Sequence, residues 1–150
     1  MLAHANSLVN TRNKLYDTKN EVNFSIMDKL TESVENYLET ILILSQSGNS
    51  IHSVDIAKEL EYSKPTISVA MKNLRAAGYI ETDSAGHITL TPPGREIAQK
   101  IYDRHTLISD WLMRLGVDRE TALRDACKME HGMSENSFLA LRRHIEAWKG

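Results

Sequence analysis

A single cysteine, three prolines and no apolar run near the roughly 18 residues of a membrane span set the first limits on this 150-residue chain. One cysteine cannot close an internal disulfide, which agrees with a reducing, cytoplasmic setting. The first 26 residues lack the apolar core of about 7–15 residues that marks a secretory signal. Rich in Asn, Ser, Thr and Lys, residues 1–26 read as a flexible N-terminal extension, with Met27 as an alternative start. Aromatic residues are scarce (6%), and the 41% hydrophobic content rests on Leu, Ile, Ala and Met, which suits a mainly α protein. Charge is nearly balanced at −2, so a surface basic throughout is excluded. Its distribution is uneven. Residues 62–78 hold Lys64, Lys72 and Arg75 without an acid, while acids outnumber lysines across 28–61. A local basic patch on a neutral chain fits nucleic-acid contact through one helix, although such a run is often only a solvated face.

Apolar spacing supplies the elements. Val34, Tyr37, Leu38, Ile41 and Leu42 recur every three or four residues, predicting a helix from Thr31 that stops near Gly48. Ser53 is the expected cap of a short second helix through Leu60. Ser63 is the expected cap of a third, with Pro65 in its first turn and Gly78 at its end. Two β-type runs, Tyr79–Thr82 and His87–Thr91, flank the turn-forming Asp83-Ser84-Ala85-Gly86. Three helices and a hairpin in this order predict an N-terminal winged helix-turn-helix. Beyond Pro92-Pro93, a long helix from about Gly94 to Leu115 carries Ile97, Ile101, His105, Ile108, Leu112 and Leu115 on one stripe. Asp118 and Ser134 cap two further helices, the last with Phe138, Leu141, Ile145 and Trp148 on its apolar side. The expected division is a DNA-binding domain over 27–92 and a helical lobe over 93–150.

In a helix-turn-helix the second helix enters the major groove with its N-terminal residues nearest the bases. Here those residues are Ser63, Lys64, Pro65, Thr66, Ser68 and Val69. Lys64 suits a phosphate or guanine, Thr66 and Ser68 suit base edges or phosphate oxygens, and Val69 suits a thymine methyl. Lys72 and His87 in the wing suit backbone contacts. Taken singly, Ser63 and Pro65 merely start a helix and the lysines are merely solvated. The order of elements favours DNA.

Cys127, Glu130 and His131 stand at i, i+3 and i+4, so on a helix a thiolate, a carboxylate and an imidazole share one face. His105 falls on an apolar stripe, where a polar ring requires a partner. Alone, His105 is a hydrogen-bonded core histidine and Cys127 a small hydrophobe. Together the four cluster ionisable groups beside an apolar lobe, and a divalent cation gives them a reason to be there. Asn36 and Glu39 on the first helix are additional oxygen donors.

Several stretches now point one way: Glu35-Asn36-Tyr37-Leu38-Glu39-Thr40-Ile41, Ser63-Lys64-Pro65-Thr66-Ile67-Ser68-Val69, Leu90-Thr91-Pro92-Pro93-Gly94-Arg95, Arg104-His105 and Cys127-Lys128-Met129-Glu130-His131-Gly132-Met133-Ser134. From about residue 28 to 146 the chain resembles the diphtheria-toxin-repressor and manganese-transport-regulator family of metal-activated repressors. The resemblance implies a homodimer joined through the helical lobe, binding a palindromic double-stranded operator when Fe(II) or Mn(II) is bound. It also places His105, Cys127, Glu130 and His131 at ligand positions. Asn36 stands where the manganese branch has Asp and the iron branch Met. Glu39 matches a manganese-branch ligand, and Cys127 an iron-branch one. Ser109 and Leu123 replace an acid and a histidine of the iron branch's ancillary site. The expected architecture is the two-domain form without an SH3-like domain. Its hybrid donor set, with a thiolate and no Asp, leans toward iron.

Besides a purely structural helical adaptor, which leaves the basic recognition helix unexplained, two other classes compete with that expectation. One is a winged-helix regulator indifferent to metal. The other is a thiol enzyme with Cys127 as nucleophile and His131 as base, for which no third orienting group stands nearby.

Overall fold

The computed structural model describes the backbone from Thr18 and side-chain environments from Glu32 to Lys149. Residues 34–150 form the compact unit that contains every contact given below. Of the extension expected over 1–26, residues 1–17 lie outside the described part. Helix α1 spans Thr18–Ser45 and so begins well before the expected Thr31. No Gly or Pro interrupts 18–45, and nothing in that stretch supplies a stop.

Leu38, Ile41 and Leu42 bury the inner face of α1, and Gly48 (φ 77°) closes its end in the left-handed conformation. Helix α2 spans Ser53–Leu60. Its cap is His52 rather than the expected Ser53, because the Asp55 carboxylate accepts the His52 backbone N–H at 2.8 Å. The helix-turn-helix bend falls at Glu61 (φ 55°), where Tyr62 N–H reaches back to the Ala57 carbonyl at 3.0 Å. Helix α3, Lys64–Ala76, is capped as expected by Ser63, with Ile67, Met71 and Leu74 buried. Strands β1 (Ile80–Thr82) and β2 (Ile88–Leu90) pair antiparallel, Glu81 opposite Thr89. The Asp83 side chain shapes their turn by accepting from the N–H groups of Ala85 and His87, each at 2.9 Å. A bond from Ile88 N–H to the Ile51 carbonyl (2.8 Å) ties the wing to the α1–α2 connection.

Helix α4 spans Pro92–Arg114 and starts two residues before the expected Gly94. Thr91 is its cap, and the two prolines occupy the first turn, where a missing N–H is harmless. Helices α5 (Arg119–Gly132) and α6 (Glu135–Ala147) follow with the expected caps Asp118 and Ser134. Leu115 and Trp148 depart from the expected apolar stripes. Each lies just past a helix end, 54% and 37% exposed respectively.

Two apolar clusters result. Leu38, Ile41, Ile56, Ile67, Ile80 and Ile88 fill the winged-helix lobe, and a smaller cluster of Ile108, Ala126 and Phe138 fills the helical lobe. Helix α4 belongs to both, giving Ala98 to the first and Ile108 to the second. Its docking is tight at Gly94, where a Cβ would stand 2.0 Å from the Tyr79 carbonyl oxygen. That oxygen already accepts Thr91 N–H at 3.0 Å, and the Thr91 hydroxyl donates to the Gly78 carbonyl at 2.6 Å. We expect Gly94→Ala to destabilise the fold by about 1–3 kcal/mol through overpacking. Gly132→Ala, where a Cβ meets nothing within 4 Å, should stay within about 0.5 kcal/mol. Urea unfolding of both variants checks the contrast.

Candidate metal centre and DNA-reading face

Three helices send polar side chains to one place. Helix α1 contributes Glu35, Asn36 and Glu39, α4 contributes His105, and α5 contributes Cys127, Glu130 and His131. The helical periods that bury Leu38 and Ala126 also turn these neighbours inward. Ligand atoms of Cys127, Glu130 and His131 lie within 4.8 Å of one another, as do those of Glu39, His105 and Glu130, so Glu130 is common to both groups.

The local geometry is polar and nearly dry. His131, its side chain 3% exposed, has Nδ1 2.8 Å from Glu35 Oε2 and Nε2 2.8 Å from Asn36 Oδ1. Cys127 Sγ stands 4.0 Å from the same Asn36 oxygen. Glu130 is 1% exposed, and neither carboxylate oxygen has a hydrogen-bond partner. His105 Nδ1 approaches Glu130 Oε2 at 3.4 Å, and His131 Nε2 approaches Oε1 at 3.5 Å. The His105 nitrogen is itself unpartnered, so the 3.4 Å approach is a charge contact and not a directed hydrogen bond.

Electrostatics follow from that burial. Burial, then the charge of Glu130, raises Glu39 to about 7. Burial likewise raises Glu130, against the pull of His105 and His131. For His131, burial works against the charged ring, but Cys127, Glu35 and Glu130 prevail and raise it to about 10. Contact with Glu130, opposed by burial, raises His105. An unpaired buried carboxylate beside a second buried acid is costly, and thiolate, imidazole and carboxylate together form a divalent-metal donor set. The residues fit a cation.

All six expected donors, Asn36, Glu39, His105, Cys127, Glu130 and His131, are brought together. Sequence reasoning gave no role to Glu35, although its i, i+4 spacing to Glu39 puts both acids on one face of α1. Ser109, at the ancillary position, is buried and returns its hydroxyl to the Thr106 carbonyl at 3.2 Å. As for the thiol-enzyme alternative, the structure corrects the expectation that no third group stands nearby, since Glu35 Oε2 lies 2.8 Å from His131 Nδ1, while Cys127 and His131 both face Asn36.

On the opposite lobe, the cap Ser63 and Lys64, Pro65, Thr66, Ser68, Val69 and Lys72 of α3 are exposed, the apolar Val69 at 60%. Ser63 and Thr66 hydroxyls also bond each other at 2.7 Å. His87 is more constrained. Its Nδ1 lies 2.8 Å from Asp83 Oδ2, and its ring meets His52 edge-on at a centroid distance of 4.7 Å.

Comparison with known proteins matches two family models. The iron dependent repressor N-terminal DNA binding domain covers residues 29–88. The iron dependent repressor metal binding and dimerisation domain covers 91–149. An uncharacterized HTH-type transcriptional regulator of Methanocaldococcus jannaschii is 34% identical over 80% of this chain and 98% of its own length. A transcriptional regulator MntR of Escherichia coli is 36% identical over 74% of this chain and 72% of its own. The solved structure of the manganese regulator SloR superposes with a TM-score of 0.68 at 27% identity. The match covers 77% of this chain and 54% of SloR, so this chain spans about half of that protein.

The pH response of the metal-free fold follows from the shifts above. Glu39, raised from 4.5 to about 7, binds protons more tightly folded than unfolded. Its contribution is therefore complete at low pH and lost as pH rises through 7. His131, raised from 6.5 to about 10, adds stability below 6.5 that is lost as pH rises through 10. Both act in one direction. We expect the chelator-treated protein to melt at a higher temperature at pH 6 than at pH 8, and Glu39→Gln to shrink that difference. Calorimetry at the two pH values reads it directly.

Proposed function

Because this chain belongs to the iron-dependent repressor family, a family of transcriptional regulators and not of enzymes, we propose that it is a repressor of metal-homeostasis genes activated by Fe(II) or Mn(II). The observation that carries the reading is the buried Glu130 carboxylate, unpartnered between two groups of metal-ligand atoms. Asn36, Glu39, His105, Cys127, Glu130 and His131 would hold the ion. Bound there, a divalent cation supplies the positive charge that these buried acids lack. The Cys127 thiolate favours Fe(II) over Mn(II).

Helix α1 connects the donors to DNA. It carries Asn36 and Glu39 on one face, while Leu38, Ile41 and Leu42 anchor it in the winged-helix core that also holds Ile67 of α3. Drawing Asn36 and Glu39 toward Cys127, Glu130 and His131 therefore fixes the DNA-reading lobe against the helical lobe. An arrangement with all donors gathered binds the ion more tightly than one with them apart, and this difference biases the population toward DNA competence.

The proposed division is a DNA-binding domain over 27–92 and a metal-binding, dimerising domain over 93–150, supported by family matches over 29–88 and 91–149. In the proposed complex a homodimer places two α3 helices in successive major grooves of a palindromic operator. Lys64, Thr66, Ser68 and Val69 meet base edges, while Ser63, Pro65, Lys72 and the wing residue His87 meet the sugar-phosphate backbone.

The test is DNA binding by anaerobic, reduced protein to its own upstream region, titrated with Fe(II), Mn(II) and chelator. We expect either ion to tighten binding and chelator to reverse it. Binding that ignores both would overturn the reading. Glu39→Ala should cut metal-activated affinity by on the order of 10-fold or more with an unchanged circular-dichroism spectrum. Lys72→Ala, which removes one phosphate contact, should lower the slope of log affinity against log salt by about 1.

A further inference from the structure

Glu35 is the acid at this site that neither group of ligand atoms includes. It is nevertheless bound to the site by one short contact. Its Oε2 lies 2.8 Å from His131 Nδ1, across 96 residues of chain, and its own side chain is 24% exposed. The other ring nitrogen, Nε2, faces the donors, at 2.8 Å from Asn36 Oδ1 and 3.5 Å from Glu130 Oε1.

An imidazole binds a cation through a nitrogen that carries no proton, so which nitrogen keeps its proton decides which one coordinates. A carboxylate accepting from Nδ1–H holds the proton there, leaves the Nε2 lone pair toward the other donors, and fixes the plane of the ring. A charge-assisted bond at 2.8 Å is roughly twice as strong as a neutral one, and the near-complete burial of His131 removes competing water.

From this geometry we infer that Glu35 is the positioning residue of the metal centre, holding His131 with Nδ1 protonated so that Nε2 is the coordinating atom. The inference rests on the metal reading above. Glu35 does not touch the ion. Its second effect is mechanical. Without the ion, Glu35 and Asn36 accept from the two nitrogens of one α5 ring from adjacent positions on α1, which registers that helix against the ring; an ion on Nε2 replaces the Asn36 bond and leaves the Glu35 bond in place. Loss of Glu35 leaves His131 free to turn about its Cβ–Cγ bond and present either nitrogen.

Three variants of the full chain test this: Glu35→Ala, Glu35→Gln and Glu35→Asp. Co(II) titration under anaerobic, reducing conditions gives the affinity, and the Cys127 thiolate-to-Co(II) absorption reports on the ligand set. Nitrogen-15 spectra of the histidine rings in Zn(II)-loaded protein give the tautomer. We expect Glu35→Ala to weaken Co(II) binding about 10–100-fold. The thiolate band should persist at saturation, and the His131 ring should lose its single Nδ1-protonated signature. Glu35→Gln, which keeps an oxygen acceptor without charge, should fall between Ala and wild type, as should Glu35→Asp.

Equal Co(II) affinity and unchanged ring signals in Glu35→Ala would overturn the assignment while leaving the metal reading intact. A lower melting temperature of the metal-free variant with affinity and tautomer unchanged would also overturn it, since that is the mark of a merely structural acid. Failure of the wild-type protein to bind Co(II) at all would overturn the metal reading and this inference with it.

Discussion

Burial of the Glu130 carboxylate is the constraint around which the helical lobe is arranged. A charged group with no accessible surface and no hydrogen bond costs several kcal/mol unless a counter-charge is supplied. Two histidines approach its oxygens at 3.4 and 3.5 Å, and a second buried acid, Glu39, adds to the negative charge. The metal-free fold manages this with protons, visible as the upward displacement of Glu39, Glu130, His105 and His131 together. A divalent cation held there, as proposed, would compete with these protons for the same charge deficit.

The same site shows how a small protein connects two lobes. Helix α4 passes through both apolar clusters and packs most extensively on α5, a contact made by Ala126 and Ile108 that needs no ion. Helix α1 sits in the other cluster and reaches α5 through polar tips: Glu35 and Asn36 on His131, and Asn36 toward Cys127. Apolar packing provides the constant part of the fold, and the polar tips provide the adjustable part. Hydrogen bonds exchanged among a few buried groups respond to a change in bound charge far more readily than a packed core does.

Much of the fold was legible in the sequence because its signals are local. Ser63, Asp118 and Ser134 cap the helices expected of them, Gly48 and Gly78 take the left-handed conformations that end helices, and Asp83 organises the wing turn. Errors came where the deciding contact was a neighbour's choice. His52 displaced Ser53 as a cap because Asp55 offered its backbone a carboxylate. Leu115 continued the apolar period of α4, yet the helix had already ended at Arg114 and left it in solvent. Pro92, capped by Thr91, and not Gly94 began α4, and Gly94 is there for another reason, the approach of the Tyr79 carbonyl.

The i, i+3, i+4 spacing determined by itself that Cys127, Glu130 and His131 share a helix face, since helical geometry is a property of the local chain. Sequence also determined the order of helices and wing, because caps, turns and apolar periods are each written within a few residues. The tertiary structure alone decided which of the shared groups are buried, which nitrogen of His131 meets Glu35, and that Glu39 on α1 and His105 on α4 close around Glu130. Those facts depend on residues up to 96 positions apart. Local propensity carries no information about such distances, which are fixed only when the two apolar cores pack and bring α1, α4 and α5 together.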